Sequence, residues 1–177
     1  DLMIREQLPD LGSIIAKKLG SAAYAIYGKA EAAPAKASRA ELQAMTWIGF
    51  DDDHAYMPGQ AWIRALMDGK RPMIRLNNWL VLRDALRAAA GVSLLPCYLG
   101  DTDPGLARIG VTQPRGLVAD VTAEQFLLVH NDLRNLPRVR HVMEAITRLF
   151  QEDRALMGGQ LAAVESKSGS RRMAANR

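Results

Sequence analysis

The stretch PMIRLNNWLVLRDALRAAAGVSLLPCYLGD, residues 72–101, decides the fold. Its first five residues, 72–76, are apolar at Ile74 and Leu76 and read as a short strand. Asn77 and Asn78 interrupt it. After them Trp79, Leu82, Leu86 and Ala89 or Ala90 recur at spacings of three and four, which places them on one face of a helix. Asn78 is the natural N-cap, with a side-chain oxygen able to accept from a first-turn amide. Gly91 follows the last helical residue, where a backbone at positive φ is wanted, so the helix is expected to end there. Val92, Ser93, Leu94 and Leu95 then give a buried-strand pattern, which Pro96 ends by removing the next ladder donor. The unit is strand, helix, strand with minimal connections.

Working outward, 46–50 reads as a further strand and 58–68 as a helix with Ala61, Trp62, Ala65 and Leu66 inward and Gly69 beyond its end. The run from 46 to 95 is therefore βαβαβ, the pattern of one parallel sheet with right-handed crossovers. Upstream, 2–4, 13–16 and 21–27 are strand-like, 30–37 is an alanine-rich connection, and Ser38 with Glu41 has the spacing of a capping box. Downstream, 101–105 and 113–116 are turns around a strand at 106–109, and 124–130 is a strand. Pro137 opens a long helix whose Val139, Val142, Met143, Ile146, Leu149 and Phe150 form one apolar stripe. Arg140, Glu144 and Arg148 are helical neighbours on it. Gly158 and Gly159 end the helix, and 158–177 reads as a disordered basic tail.

The composition, 49% hydrophobic and 24% charged over 177 residues, is that of an ordinary globular chain. No run approaches a membrane span, no secretion signal is visible, and the single cysteine, Cys97, has no internal disulfide partner. A cytoplasmic location is the simplest expectation. The net charge of +4 is carried mainly by Lys167, Arg171, Arg172 and Arg177 against Glu165, so the folded part is nearly neutral and offers no basic face for DNA.

In an open α/β sheet, ligands collect beyond the carboxyl ends of the strands. Here those places are Asp51 to Tyr56, Asn77 and Asn78, and Pro96 to Tyr98. Helix N-termini there suit a carboxylate. Asp51, Asp52, Asp53 and His54 are consecutive and lack the spacing of a metal site, so no metal and no cofactor are expected. Cys97 reads first as a small buried hydrophobe, with no signature of a thiol enzyme. Trp47 and Trp62 read as core. Trp79 opens the helix beside the proposed cleft, and Arg5, after the first strand, belongs to a different body. No catalytic residue is expected.

The Asn pair, the alanine-rich helix and A-A-G-V-S-L-L-P-C-Y-L-G-D, together with DLMIR at 1–5, IAKKL at 15–19, WIGF at 47–50 and FLLVHNDLRNLPRVR at 126–140, resemble the effector-binding domain of LysR-type transcriptional regulators. That domain is similar in fold to type 2 periplasmic binding proteins. The resemblance implies an α/β fold with one complete βαβαβ lobe and part of a second, joined by two crossing strands. It divides the chain into a partial first lobe (1–20), a crossing strand (21–30), a complete second lobe (31–120), a return strand with the long helix (121–157) and the tail. It also implies that the family's N-terminal helix-turn-helix is absent here, so that promoter DNA is contacted only through that missing domain. The expected partners are a small-molecule effector, such as a carboxylate or aromatic acid, and further copies in a homo-dimer or tetramer. The expected effector contacts are Asn77, Asn78, Trp79, Pro96, Cys97, Asp51 and Arg5. The other reading is a solute-binding protein of a transport system with the same fold, for which a secretion signal upstream would speak.

Overall fold

The computed structural model describes residues 2–6, 8, 12–112 and 121–160. The expected tail from 161 onward and the turn at 113–116 lie outside them. The chain forms two compact units, one from residues 1–22 and 123–177, the other from residues 23–122.

In the first unit, β1 (Leu2–Arg5) pairs antiparallel with β9 (Thr122–His130), Leu2 opposite Val129 and Arg5 opposite Phe126. The first part of β2 (Ile14–Lys29) lies on the other side of β9. Leu127, Leu128 and Val129 are buried, a continuous apolar run that matches a strand covered on both faces. Helix α5 (Pro137–Glu152) starts on Pro137, whose missing N–H falls among the donors a helix start leaves unpaired anyway. A short helix α6 (Arg154–Met157) follows it, and Gly158 caps that helix. Only part of the expected α5 stripe is covered: Val139 is buried, whereas Val142 and Leu149 are exposed. Lys17 reaches the Thr147 hydroxyl at 3.0 Å, tying β2 to α5, and Lys18 pairs with Glu124.

The second unit contains the rest of β2, β3 (Lys36–Ala37), α1 (Arg39–Ala44), β4 (Ile48–Phe50), α2 (Gln60–Leu66), β5 (Ile74–Leu76), α3 (Trp79–Arg87), β6 (Ser93–Pro96), α4 (Cys97–Gly100), β7 (Leu106–Arg108) and β8 (Gly110–Val111). Ser38 and Glu41 make the expected capping box at α1. The two strands expected at 13–16 and 21–27 are one strand of 16 residues, β2. Its second half pairs antiparallel with both β6 and β7.

Three expectations need correction. First, the single parallel sheet is interrupted. β4 and β5 form a parallel ladder, Ile48 opposite Ile74 and Phe50 opposite Leu76, while β6 belongs to the sheet of β2. They meet at one parallel bridge, Trp47 to Val92, with Val92 N–H donating to Thr46 O and Ile48 N–H to Val92 O, both at 2.9 Å. The cause lies at Ser93. Its hydroxyl donates to Ile48 O at 2.7 Å, taking the acceptor that the next rung of a parallel ladder would use.

Second, Gly91 does have positive φ, at 158°, but α3 already ends two residues earlier, on Ala89 in the left-handed region at φ 60°. Ala90 N–H closes back on Ala85 O, and Ala89 N–H on Leu86 O. Gly91 is needed for a second reason besides its positive φ: a Cβ there would lie 2.3 Å from Thr46 O, in the middle of the β4–β6 bridge. Third, α2 turns a different face inward. Gln60, Ile63 and Leu66 are buried, Ala61 and Ala65 are exposed, and Trp62 is half-buried against Trp47, ring centroids 5.9 Å apart. The larger Ile63 takes the core, and Gln60 is drawn in because its Oε1 accepts from Phe50 N–H at 2.9 Å.

The core of this unit is Tyr27, Ile48, Phe50, Leu82, Leu86, Leu95 and Leu106, with Trp79 packed against it, so α3 buries the face expected of it. Removing the Ser93 hydroxyl (Ser93→Ala) leaves the buried Ile48 carbonyl short of a donor. It should lower the urea midpoint by the equivalent of about 1–3 kcal/mol with an unchanged slope. Ala89→Gly relieves a left-handed alanine and should raise the midpoint by about 0.5–1 kcal/mol.

Candidate functional site

The ends of β4 and β5 coincide. Phe50 is opposite Leu76, and Asp51 N–H donates to Leu76 O at 2.9 Å, so Asp51 and Asn77 are the residues at which both strands open into loops. β6 reaches the same region through its neighbour β2, because Pro96 is opposite Tyr24 and the Tyr24 ring lies 5.8 Å from Trp79. Trp79 in turn meets Phe50 edge-on at 4.5 Å, Phe50 approaches His54 at 6.2 Å, and His54 stacks on Tyr56 at 6.1 Å. A run of aromatic rings thus connects the strand ends, from half-buried Trp79 to exposed Tyr56. The sequence reading singled out Trp79 alone among these. The spacing Phe50, His54, Tyr56 after a strand was the signal available for the rest.

The expected site residues divide by what their polar atoms already do. Asn78 caps α3, its Oδ1 accepting from Leu80 N–H at 2.8 Å and Val81 N–H at 3.4 Å, while its backbone carbonyl accepts from Leu82 N–H. Of the four amides that a helix start leaves unpaired, those of Asn78 and Trp79 therefore have no partner among the described residues. Asn78 Nδ2 is not used by the cap. Asn77 is exposed, and its side chain has no hydrogen-bond partner among the described residues. Asp51 caps the 3-10 turn at Asp52–His54, its Oδ1 accepting from His54 N–H at 3.1 Å and meeting His54 Nδ1 at 2.5 Å. Asp52 pairs with Arg71 at 2.8 Å and with Arg75 at 3.4 Å. Within the acidic run Asp51 is occupied by a cap and Asp52 by ion pairs, and no cluster of metal-ligating side chains occurs among the described residues.

Pro96 and Cys97 are buried, and Cys97 faces a polar cluster that the sequence reading did not find. Tyr27 donates its hydroxyl hydrogen to Asp101 Oδ1 at 2.6 Å. Arg108 Nε reaches Tyr27 Oη at 3.0 Å and Asp101 Oδ1 at 2.6 Å, and Arg108 Nη2 also pairs with Asp101 Oδ2. Burial pushes the Cys97 thiol up, the reverse of what an activated thiolate needs, although Arg108 opposes the shift. Burial, and next the hydrogen bond to Asp101, raise the Tyr27 hydroxyl well above the usual tyrosine range. For Arg108, burial disfavours the charge, but the bonds to Asp101 outweigh it and the guanidinium is held more firmly protonated. Arg5, on β1, belongs to the other compact unit and is exposed.

The Tyr27 shift has a sign. A hydroxyl whose folded pKa lies above its unfolded value of about 10 stabilises the fold fully below that pH and progressively less above it. Tyr27→Phe should cost about 1–2 kcal/mol near neutrality through the bond lost by Asp101, and should flatten the alkaline decline in stability, read from melts between about pH 8 and 11.

At the level of sequence, residues 1–151 match the family described as the LysR substrate binding domain. A search of curated proteins returned no significant match. The fold is similar to the regulatory domain of CrgA, a LysR-type transcriptional regulator from Neisseria meningitidis (TM-score 0.67, 18% identity, covering 85% of this chain and 75% of that one). It is similar to the Synechocystis PCC6803 CcmR regulatory domain in complex with 2-PG (TM-score 0.60, 8% identity, 85% and 73%). Full-length CbnR complexed with its target DNA is also similar (TM-score 0.60, 12% identity), and this chain spans 53% of its length.

Proposed function

Because the chain belongs to the LysR substrate-binding domain family, the effector-binding part of transcriptional regulators, we propose that it senses a small molecule at the carboxyl edge of β4, β5 and β6. The observation that carries this reading is the set of polar groups left over at that edge. The Asn77 side chain, Asn78 Nδ2 and Trp79 N–H stand at half-buried Trp79, which packs on buried Phe50, once the cap of α3 is satisfied. Directed donors against an apolar aromatic wall suit a small carboxylate or aromatic acid. Asp51 shapes the edge through its cap, while Pro96 and Cys97 support it from beneath.

In the parent regulator, effector binding shifts the equilibrium between poses of a homo-dimer or tetramer, and promoter DNA is contacted by a helix-turn-helix outside this chain. The parent acts in the cytoplasm and catalyses no reaction. Among the described residues no helix is long and apolar enough to cross a membrane. The transport reading is not favoured, since the family match is to the regulators. For the same reason the chain alone should show no operator-specific binding, only salt-sensitive association through Arg171 and Arg172.

Cap and ligand roles separate by substitution. Asn78→Ala should destabilise the fold by about 1 kcal/mol, while Asn78→Asp keeps the capping oxygen and exchanges the Nδ2 donor for a second, negatively charged carboxylate oxygen. In the parent regulator, Asn78→Asp and Asn77→Ala should each weaken the effector response by about 1–3 kcal/mol with operator affinity retained, measured as the effector concentration for half-maximal response. Unchanged response in both variants would place the effector elsewhere.

A further inference from the structure

At the end of α3 away from Asn77 and Asn78, the second unit holds an open pocket of about 260 Å³ that takes no part in the effector edge. Its walls come from the end of β2 with the turn after it, from the approach to β4, and from the exit of α3. Each wall is fixed. Ala32 and Ala33 N–H both donate to Lys29 O, at 3.0 and 2.8 Å, and Ala30 N–H donates to Gly105 O at 2.9 Å, which pins the turn. Thr46 and Val92 are tied by the bridge between β4 and β6. The walls meet at Gly28, where a Cβ would stand 3.2 Å from Val92 Cγ1 and 3.3 Å from Ala33 Cβ. The space is thus framed by hydrogen-bonded backbone and small side chains.

The chemistry of the lining is simple. Apart from Lys29 and Thr46, every residue in it is Gly, Ala, Pro, Val or Met, and no aromatic ring takes part, in contrast to the effector edge. Lys29 is the only charged residue of the lining. Its ammonium lies 3.2 Å from Glu31, whose side chain is 82% exposed and stands outside the lining; an ion pair so open to water holds a lysine weakly. Ala89 adds a sign of its own. It keeps a methyl group in the left-handed region at φ 60°, where glycine would be relaxed, and it does so at this pocket. The carbonyl end of α3 borders the same space through Ala89 and Ala90, so negative charge is disfavoured there and belongs at Lys29. At about 30 Å³ for each water-sized group, the volume takes roughly eight or nine non-hydrogen atoms.

We propose that this pocket is a second small-molecule site, for an aliphatic monocarboxylate of about six carbons. The alkyl chain lies against Ala33, Ala89, Ala90 and Val92, and the carboxylate meets the Lys29 ammonium. The site does not rest on the assignment of the effector edge, from which α3, nine residues and so about 13 Å long, separates it.

The test is a residue-resolved NMR titration of the 15N-labelled 177-residue chain with hexanoate, with acetate, 1-hexanol and hexylammonium as separate arms. Hexanoate should shift the backbone amides of Gly28, Ala33 and Gly91 saturably and along one curve. Acetate should bind at least tenfold more weakly, because it lacks the chain whose burial drives binding. Hexanol should be about tenfold weaker, the factor that one charge-assisted hydrogen bond is worth, and hexylammonium, repelled by Lys29, should leave the three amides unmoved. Lys29→Gln should bring hexanoate down to the level of hexanol and leave hexanol itself unchanged, a split that a loss of stability alone would not give. Ala32→Leu, at an exposed position of the turn, should fill the space and weaken both ligands with the melting curve retained. Should that variant not fold, the Lys29→Gln split decides alone. The proposal is overturned if hexanoate gives no saturable shift at the three amides, if hexylammonium matches hexanoate, or if hexanoate affinity survives in every variant that folds, since the shifts would then be transmitted from the effector edge.

Discussion

The second unit depends on how the backbone around Ile48 is satisfied. Thr46 O accepts from Val92 N–H, Val92 O accepts from Ile48 N–H, and Ile48 O accepts from the Ser93 hydroxyl. These bonds are the hydrogen-bonded seam between the β4–β5 ladder and β6, and β6 in turn is held by β2. The seam also sets what its neighbours must be. Gly91 has to lack a side chain because Thr46 O approaches where a Cβ would stand, and α3 must therefore finish before it, which puts the left-handed backbone on Ala89. A local need for close approach has overridden the preferred place of a helix-ending glycine.

On the far side of β2, polar groups fix a register. Tyr27 is opposite Arg108 in the β2–β7 pairing, and Asp101 joins both. A buried charged cluster of this kind contributes little net stability compared with apolar packing, since desolvation offsets most of the attraction. Breaking one of its bonds is another matter, because it strands the remaining partners. Asp103 follows the same logic, buried with Arg87 at 3.3 Å on its Oδ2 and Gly105 N–H on its Oδ1 at 2.9 Å. The short segment that carries α4 and leads to β7 is thus pinned by carboxylates as well as by buried Cys97 and the core contact of Leu99.

That division explains what could be read from the amino acids alone. Trp79, Leu82 and Leu86 announced the inner face of α3, Asn78 its cap, and Ser38 with Glu41 the start of α1, because each of these signals is local and periodic. The family pattern added the connection of the elements. The Ser93 hydroxyl was not legible as a ladder breaker, since its acceptor is 45 residues away in sequence. The inward face of α2 was misread for a similar reason: Gln60 is polar, and only its bond to Phe50 N–H, on another element, draws it into the core. The Tyr27, Asp101 and Arg108 cluster spans three elements and leaves no mark in any one of them. At the site, the position of Asn77 and Asn78 followed from the strand end, but the ring sequence from Trp79 to Tyr56 required the strand ends to be seen side by side.

Binding capacity at such an edge is what local structure leaves unused. Helix starts and tight turns consume donors and acceptors before any ligand arrives: Asn78 Oδ1 and Asp51 Oδ1 are both committed to caps, and Asp52 to two arginines. Counting polar residues at a strand end therefore overstates its affinity for a ligand. The remainder here is small and specific: the Asn77 side chain, Asn78 Nδ2 and the N–H groups of Asn78 and Trp79, beside the ring of Trp79. A few directed donors with apolar walls discriminate by geometry, since a ligand that fails to supply an acceptor at each leaves a desolvated group unmet and loses more than it gains from contact.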